Sequence, residues 1–285
     1  MKILFKINRR RAIWGLVLAL AAAYIVLSIA PNTFAKKGLE PMDNPGMLIV
    51  AHRGGAGLGP ENTLSSIEKG LAGGADMIEV DVHLTKDGFL VVCHDQKVNR
   101  TTNGKGAIKE MTLAEIRELS VVDANGNITE EHLPTLSEVM GLVEGRAQLL
   151  VEIKKSGSLE PNVGQILLDE LAKADAATWV VVQSFDDSVL ESIHAISPQQ
   201  RLEKLLFFKL PGLPVIFDWR FTRFSFEKYS HISSFNIMYP AASNRFVKAI
   251  HNHGKEVKIW TVNKPGKAPD LPVDGVITDR PDLWK

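Results

Sequence analysis

The chain has 285 residues, enough for one barrel-sized domain or two smaller ones. Its 33 basic residues balance 33 acidic ones and no charge run interrupts the body of the chain, which excludes bulk electrostatic attraction to nucleic acid. The single cysteine, Cys93, excludes an intramolecular disulfide and a cysteine-rich zinc site.

Residues 1–11 carry Lys2, Lys6, Arg9, Arg10 and Arg11 and read as a basic cytoplasmic tail. Residues 12–30 are uncharged and rich in Leu, Ala, Val and Ile, close to the roughly 20 apolar residues that a membrane-crossing helix needs. Only Lys36 and Lys37 follow closely, so the basic bias keeps the N-terminus cytoplasmic and sends the rest across. The expectation is a single-pass anchor with the folded body on the non-cytoplasmic side. A cleaved secretory signal is the alternative, with Thr33-Phe34-Ala35 near the cut, and it gives the same topology. Residues 31–46, rich in Pro, Asn, Gly and Lys, read as a linker to a catalytic body at 47–285.

In that body, short β-branched or apolar runs alternate with helical patterns. The strand candidates are Met47–His52, Met77–Val82, Gln148–Ile153, Trp179–Gln183, Leu202–Phe207, Ser233–Met238, Val257–Val262 and Gly275–Thr278. Eight such runs predict an α/β fold, a (β/α)8 TIM-type barrel. Phe89–Cys93 is a ninth candidate, and Thr85-Lys86-Asp87-Gly88 before it is a tight turn, which joins antiparallel strands. Thr112 to Glu115 has the form of a capping box and predicts a short helix there. The apolar stretch Leu205–Phe221 is expected to be either a lipid-facing lip or a strand and loop packed on the body.

Glu79 and Asp81 are two apart on a predicted strand, so their side chains share a face, and Glu152 and Lys154 repeat the spacing on another. Three carboxylates suit a hard, oxygen-seeking cation, Mg2+ or Ca2+. His52 and His94 each end an apolar run, and imidazole titrates near neutrality, so the two make an acid and base pair. Arg53 offers a planar fork for phosphate oxygens and Lys154 a compact charge. Glu61 is placed at or beside the metal. Asn62 either orients the first loop or caps a helix. His83, His132, His194, His231, His251 and His253 read as packed or surface residues, and Cys93 as a packed thiol.

The series His52-Arg53-Gly54, Pro60-Glu61-Asn62-Thr63, Glu79-Val80-Asp81, His94-Asp95, Arg100-Thr101-Thr102-Asn103-Gly104, Pro134-Thr135-Leu136, Glu152-Ile153-Lys154, Gln183-Ser184-Phe185-Asp186, Trp260-Thr261-Val262-Asn263 and Gly275-Val276-Ile277-Thr278-Asp279 resembles the glycerophosphodiester phosphodiesterase family, in the family's order and over nearly everything after residue 46. The resemblance implies a barrel with an insertion over one side of the site, roughly Gln96–Leu136. It also implies metal-dependent hydrolysis of a glycerophosphodiester to sn-glycerol 3-phosphate and an alcohol, with Glu79, Asp81 and Glu152 as metal ligands and His52 and His94 as catalysts. Arg53, Lys154 and Glu61 would then meet the substrate, and Trp260 would either line the glycerol backbone or pack in the core. Two alternatives remain at this point: a phospholipase D acting on lysophospholipids, and a silent, membrane-tethered module that binds phosphate ligands. The short stretch between Asn263 and Gly275 carries Pro265, Pro269 and Pro272 and predicts a curtailed helix.

Overall fold

The computed structural model describes residues 46–154, 162–206, 226–267 and 271–284. The predicted tail, anchor, cleavage region and nearly all of the linker lie outside these residues, as does Phe207–Phe221 of the apolar stretch. Among the described residues, no helix is long and apolar enough to cross a membrane.

Among the described residues nine strands form: β1 (Leu48–Ala51), β2 (Met77–Leu84), β3 (Leu90–Val92), β4 (Gln148–Ile153), β5 (Val180–Ser184), β6 (Leu202–Leu206), β7 (Ser234–Met238), β8 (Glu256–Trp260) and β9 (Gly275–Thr278). Eight are parallel, in the order β1, β2, β4, β5, β6, β7, β8, β9, and β9 pairs back onto β1 to close a barrel. Almost every position of these strands is buried, as expected where both faces are covered. β3, equally buried, is the exception to the parallel order. It pairs antiparallel with the end of β2, Leu84 opposite Leu90, so β2 runs two residues past its predicted end. The predicted turn between them closes with the Thr85 amide donating to the Phe89 carbonyl at 2.9 Å and the Gly88 amide to that of Thr85 at 3.1 Å.

The helices α1 (Leu64–Ala72), α3 (Leu136–Val143), α4 (Val163–Lys173), α5 (Asp187–Ile196) and α6 (Asn244–His251) cover the barrel, and α2 (Leu113–Arg117) lies in the insertion. Their starts are chemically marked. Thr63, Thr112 and Thr135 each accept the amide three residues on and receive a side chain in return, from Ser66, Glu115 and Glu138. The cap of α1 is therefore Thr63 and not Asn62. The regular alternation fails late in the chain: the proline-rich segment after β8 holds a 3-10 turn, Pro265–Lys267, and β9 is followed by another, Pro281–Leu283.

The main core lies between barrel and helices, while Val50, Met77, Leu150, Val181 and Ile277 meet inside the barrel. The insertion has a small core of its own, built from Val91, Cys93, Val98, Ile108, Ile116, Val121 and Leu133. Leu136 packs with the main core instead, so the insertion ends before α3. Cys93 is buried there and its thiol is pushed up to about 11 by that burial, which suits the packing role read from the sequence.

Candidate active site

Parallel strands of a barrel all end on one side, and the polar residues gather at that end. Register puts Asp81 beside Glu152 and Glu152 beside Gln183 on neighbouring strands. Glu79, Asp81 and Glu152 are buried, and each offers an oxygen within 4.8 Å of the other two.

Such a cluster is costly when left bare, since burial and mutual repulsion both disfavour charge. Burial, reinforced by Asp81, pushes the Glu79 carboxyl up to about 7. Burial also drives Glu152 well above the usual carboxylate range, with Asp81 and Glu79 adding to it. For Asp81 burial acts upward as well, but Lys154, His94, Arg53 and a hydrogen bond from Asn62 outweigh it and hold the group low. Its Oδ1 receives no aligned hydrogen bond, although Lys154 Nζ lies 2.9 Å away. An all-oxygen set of three buried carboxylates with mutual repulsion to relieve fits a divalent cation of the Mg2+ or Ca2+ type.

The first loop wraps over this cluster. Arg53 (φ 51°), Gly54 and Gly55 all adopt positive φ, which turns the Arg53 amide onto Glu79 Oε2 at 2.8 Å. At Gly54 a Cβ would also come within 2.7 Å of Ile67 and Ser66, so glycine is needed there for space too. Asn62 answers the question the sequence left open: its Nδ2 donates to Asp81 Oδ2 at 2.9 Å, and its Oδ1 accepts the Asp81 amide at 3.3 Å. It orients a carboxylate.

His52 and His94 both face the same pocket, of about 160 Å³, with Arg53, Glu79, Glu152, Lys154, Gln183, Phe185, Leu205, Trp260, Thr261 and Ile277. Each histidine is held by a carboxylate to which the sequence reading gave no role. His52 Nδ1 lies 2.6 Å from Asp279 Oδ1, and Asp279 Oδ2 accepts from Asn263 Nδ2 at 2.6 Å. His94 Nδ1 lies 2.8 Å from Asp95 Oδ1. In both, the Nε2 side is left to face the pocket.

Their environments differ in sign. Burial lowers His52, but the Asp279 hydrogen bond and the Glu79 charge outweigh it, so its pKa is raised. For His94 burial wins over the attraction of Asp81, and Lys154 adds to the lowering.

The cations sit in the same web. Lys154 Nζ lies 2.9 Å from Asp81 and 2.8 Å from Glu152, which overcomes its burial and raises its pKa. Arg53 Nη1 donates to Glu61 Oε1 at 2.9 Å. Glu61 is turned toward arginines and not toward the three-carboxylate group: it also takes two bonds from Arg100 of the insertion, at 2.7 and 2.8 Å, and Arg100 in turn holds Asp95. The insertion thus reaches the site through Arg100. Trp260 and Phe185 meet edge to face at 5.8 Å and form an apolar wall with Leu205 and Ile277. His83 is buried and contacts the His94 carbonyl at 3.3 Å.

Asp95, Asp279 and Gln183 all stand in stretches that the sequence singled out. What the sequence lacked was their partners, since Asp279 lies 227 residues from His52.

A parallel barrel with carboxylates, two carboxylate-held imidazoles and two cations at its strand ends is the apparatus of a phosphoester-cleaving enzyme. The chain belongs to the glycerophosphoryl diester phosphodiesterase family, whose model matches residues 52–283. It is similar to the glycerophosphodiester phosphodiesterase of Caldanaerobacter subterraneus subsp. tengcongensis, at 33% identity over 82% of this chain and 95% of the other. A glycerophosphodiester phosphodiesterase of Bacillus subtilis is 30% identical over 97% of each chain. Among solved structures, an Oleispira antarctica phosphodiesterase in complex with the product sn-glycerol-3-phosphate superposes with a TM-score of 0.72, at 25% identity, over 83% of this chain and 94% of that one. The protein is accordingly an enzyme, a phosphoric diester hydrolase of the glycerophosphodiester phosphodiesterase type.

Proposed function

We propose that the protein hydrolyses glycerophosphodiesters to sn-glycerol 3-phosphate and an alcohol, with a cation held by Glu79, Asp81 and Glu152 and with His52 and His94 moving the protons. The observation that carries this reading is the convergence of both histidines, Arg53, Lys154 and the carboxylates on one pocket. When bound, the cation would polarise the phosphoryl group and offset its charge.

The residues of the chain supply the remainder. Arg53 and Lys154 attract the phosphate oxygens, the first as a fork and the second as a point charge. The raised pKa of His52 suits a protonated acid that gives Nε2–H to the departing alkoxide. The lowered pKa of His94 suits a neutral base that takes the proton of the attacking hydroxyl, whether from water or from the neighbouring glycerol. A bound cation would weaken the pull of Glu79 and Asp81 on both rings, while Asp279 stays beside His52 and Asp95 beside His94. Asp279 and Asp95 fix the tautomers.

The apolar wall of Phe185, Leu205, Trp260 and Ile277 supports a second substrate class, lysophospholipids cleaved on the headgroup side of phosphate. The uncharged segment at 12–30 would place either activity at a membrane surface, facing away from the cytoplasm. A silent binding module would be expected to lack a histidine or a carboxylate of the set, and all are in place.

The test is release of glycerol 3-phosphate from glycerophosphocholine, and of choline from lysophosphatidylcholine, with Mg2+, Ca2+ or chelator and His52→Ala as control. Cation-dependent product from the first substrate supports the proposal. Turnover of the acylated substrate alone would transfer it to the lipid, and activity equal in chelator and in His52→Ala would end it.

A further inference from the structure

Below the pocket the barrel interior is divided. One half is filled by the apolar side chains of Val50, Met77, Leu150, Val181 and Ile277. The other holds Glu203, Ser234, Asn236 and Lys258, every one of them at 0% exposure. Lys258 Nζ lies 2.7 Å from Glu203 Oε1. Gly275 leaves room for this lysine, because a Cβ there would come within 3.1 Å of Lys258 Cγ and 3.0 Å of the Leu48 carbonyl oxygen.

From this pair a chain of hydrogen bonds climbs to the site. Asn236 Nδ2 donates to Glu203 Oε2 at 2.8 Å and to Gln183 Oε1 at 2.8 Å, and Gln183 Nε2 donates to Glu79 Oε1 at 3.2 Å. The direction of each bond follows from the one below. A carboxylate facing a lysine only accepts, so Asn236 must turn its NH2 toward Glu203. The second hydrogen of that NH2 then meets the oxygen of Gln183, which leaves the Gln183 NH2 for Glu79. Ser234 Oγ, 3.2 Å from Asn236 Oδ1, donates to the remaining acceptor. Neither amide is free to flip while the pair is in place.

Packing alone gives this arrangement no advantage. A buried ion pair commonly does no better than apolar side chains of the same volume, and the other half of the same barrel is filled by such side chains. Its distinctive effect is at the top, where Glu79 receives a donor on each oxygen, Gln183 on Oε1 and the Arg53 amide on Oε2. We propose that Lys258 and Glu203 are positioning residues for the cation site, acting through Asn236 and Gln183 to present a donor to Glu79 and to hold its carboxylate facing Asp81 and Glu152. The inference rests on the reading of those three carboxylates as the cation ligands.

The experiment is isothermal titration of the full chain with Mg2+ and with Ca2+, beside thermal unfolding. Glu203→Met with Lys258→Met removes the pair without leaving either of its charges buried alone; Glu256, 3.5 Å from Lys258 Nζ, loses that neighbour but is itself half-exposed. Asn236→Leu cuts the chain while the pair stays intact, and it serves if the double variant does not fold. The expected result is a dissociation constant about 10-fold higher or more in either variant, the scale for residues behind metal ligands. Gln183→Met should give a similar rise, and combining it with Asn236→Leu should add little, since both cut one chain. Wild-type affinity in a folded variant, whatever its melting temperature, overturns the proposal and leaves the cation site standing. Absence of binding by the wild-type protein overturns both.

Discussion

Replacing Asp279 by Asn is the sharpest probe of the His52 assignment. The carboxylate accepts from two donors, His52 Nδ1 at 2.6 Å and Asn263 Nδ2 at 2.6 Å. An amide at 279 has one acceptor oxygen for both and carries no charge, so the charge-assisted bond to the imidazolium is lost. A hydrogen bond to a charged group contributes about 1.5–3 kcal/mol. With a tenfold change for every ~1.4 kcal/mol, kcat/KM should fall by about 10- to 150-fold. The pH profile should move as well. Asp279 is the main influence raising His52, so without it the ring loses its proton at lower pH and the alkaline limb of kcat/KM shifts downward. In stability the sign is the same: the pair contributes fully below about pH 6.5, the ring's ordinary value, and its contribution disappears as pH rises through the raised folded value. The assay is glycerol 3-phosphate release across pH 5–9 at saturating cation. A variant with wild-type kcat/KM and an unmoved alkaline limb would refute the acid role of His52.

His94→Ala should lower turnover by about 10²- to 10⁴-fold, the usual span for a general base, with the circular dichroism spectrum unchanged; a loss of less than tenfold would count against it. Without cation, the melting temperature should fall as pH rises from about 4.5 to 7, because Glu79 is raised to about 7 and burying its charged form costs stability. Cation at about 100 times its dissociation constant should add about 2.7 kcal/mol, some 5–10 °C for a body of this size, and should flatten that slope; calorimetry with chelator as reference decides it. Gly70→Ala should impair activity more than a helix-favouring change predicts, because its Cβ would collide with the Gly54 carbonyl oxygen and approach Ala51 Cβ to 3.1 Å, displacing the turn that carries Arg53. Equal activity with a raised melting temperature would show that the turn is not set by this contact.

The strands were legible because their signal is local. Val180 to Val182 is β-branched, and the Gln148–Ile153 and Gly275–Thr278 runs match β4 and β9 end to end. The pairing of Glu79 with Asp81 followed from the two-residue period, and the short helix at Leu113 from its capping box. The 3-10 turn Pro265–Lys267 stands in the segment whose prolines predicted a curtailed helix.

What the sequence could not give was contact between distant residues. Asp279 is brought to His52 only because β9 closes the barrel against β1, and Arg100 is brought to Glu61 only because the insertion folds back over the first loop. Lys258 and Glu203 look like ordinary strand charges until the closed barrel points both inward. Sequence alone determined the identities and faces of the chemical groups, since side-chain alternation is a property of a single strand. Partners, burial and therefore protonation were decided only by the tertiary structure, because each depends on which strands closure makes neighbours.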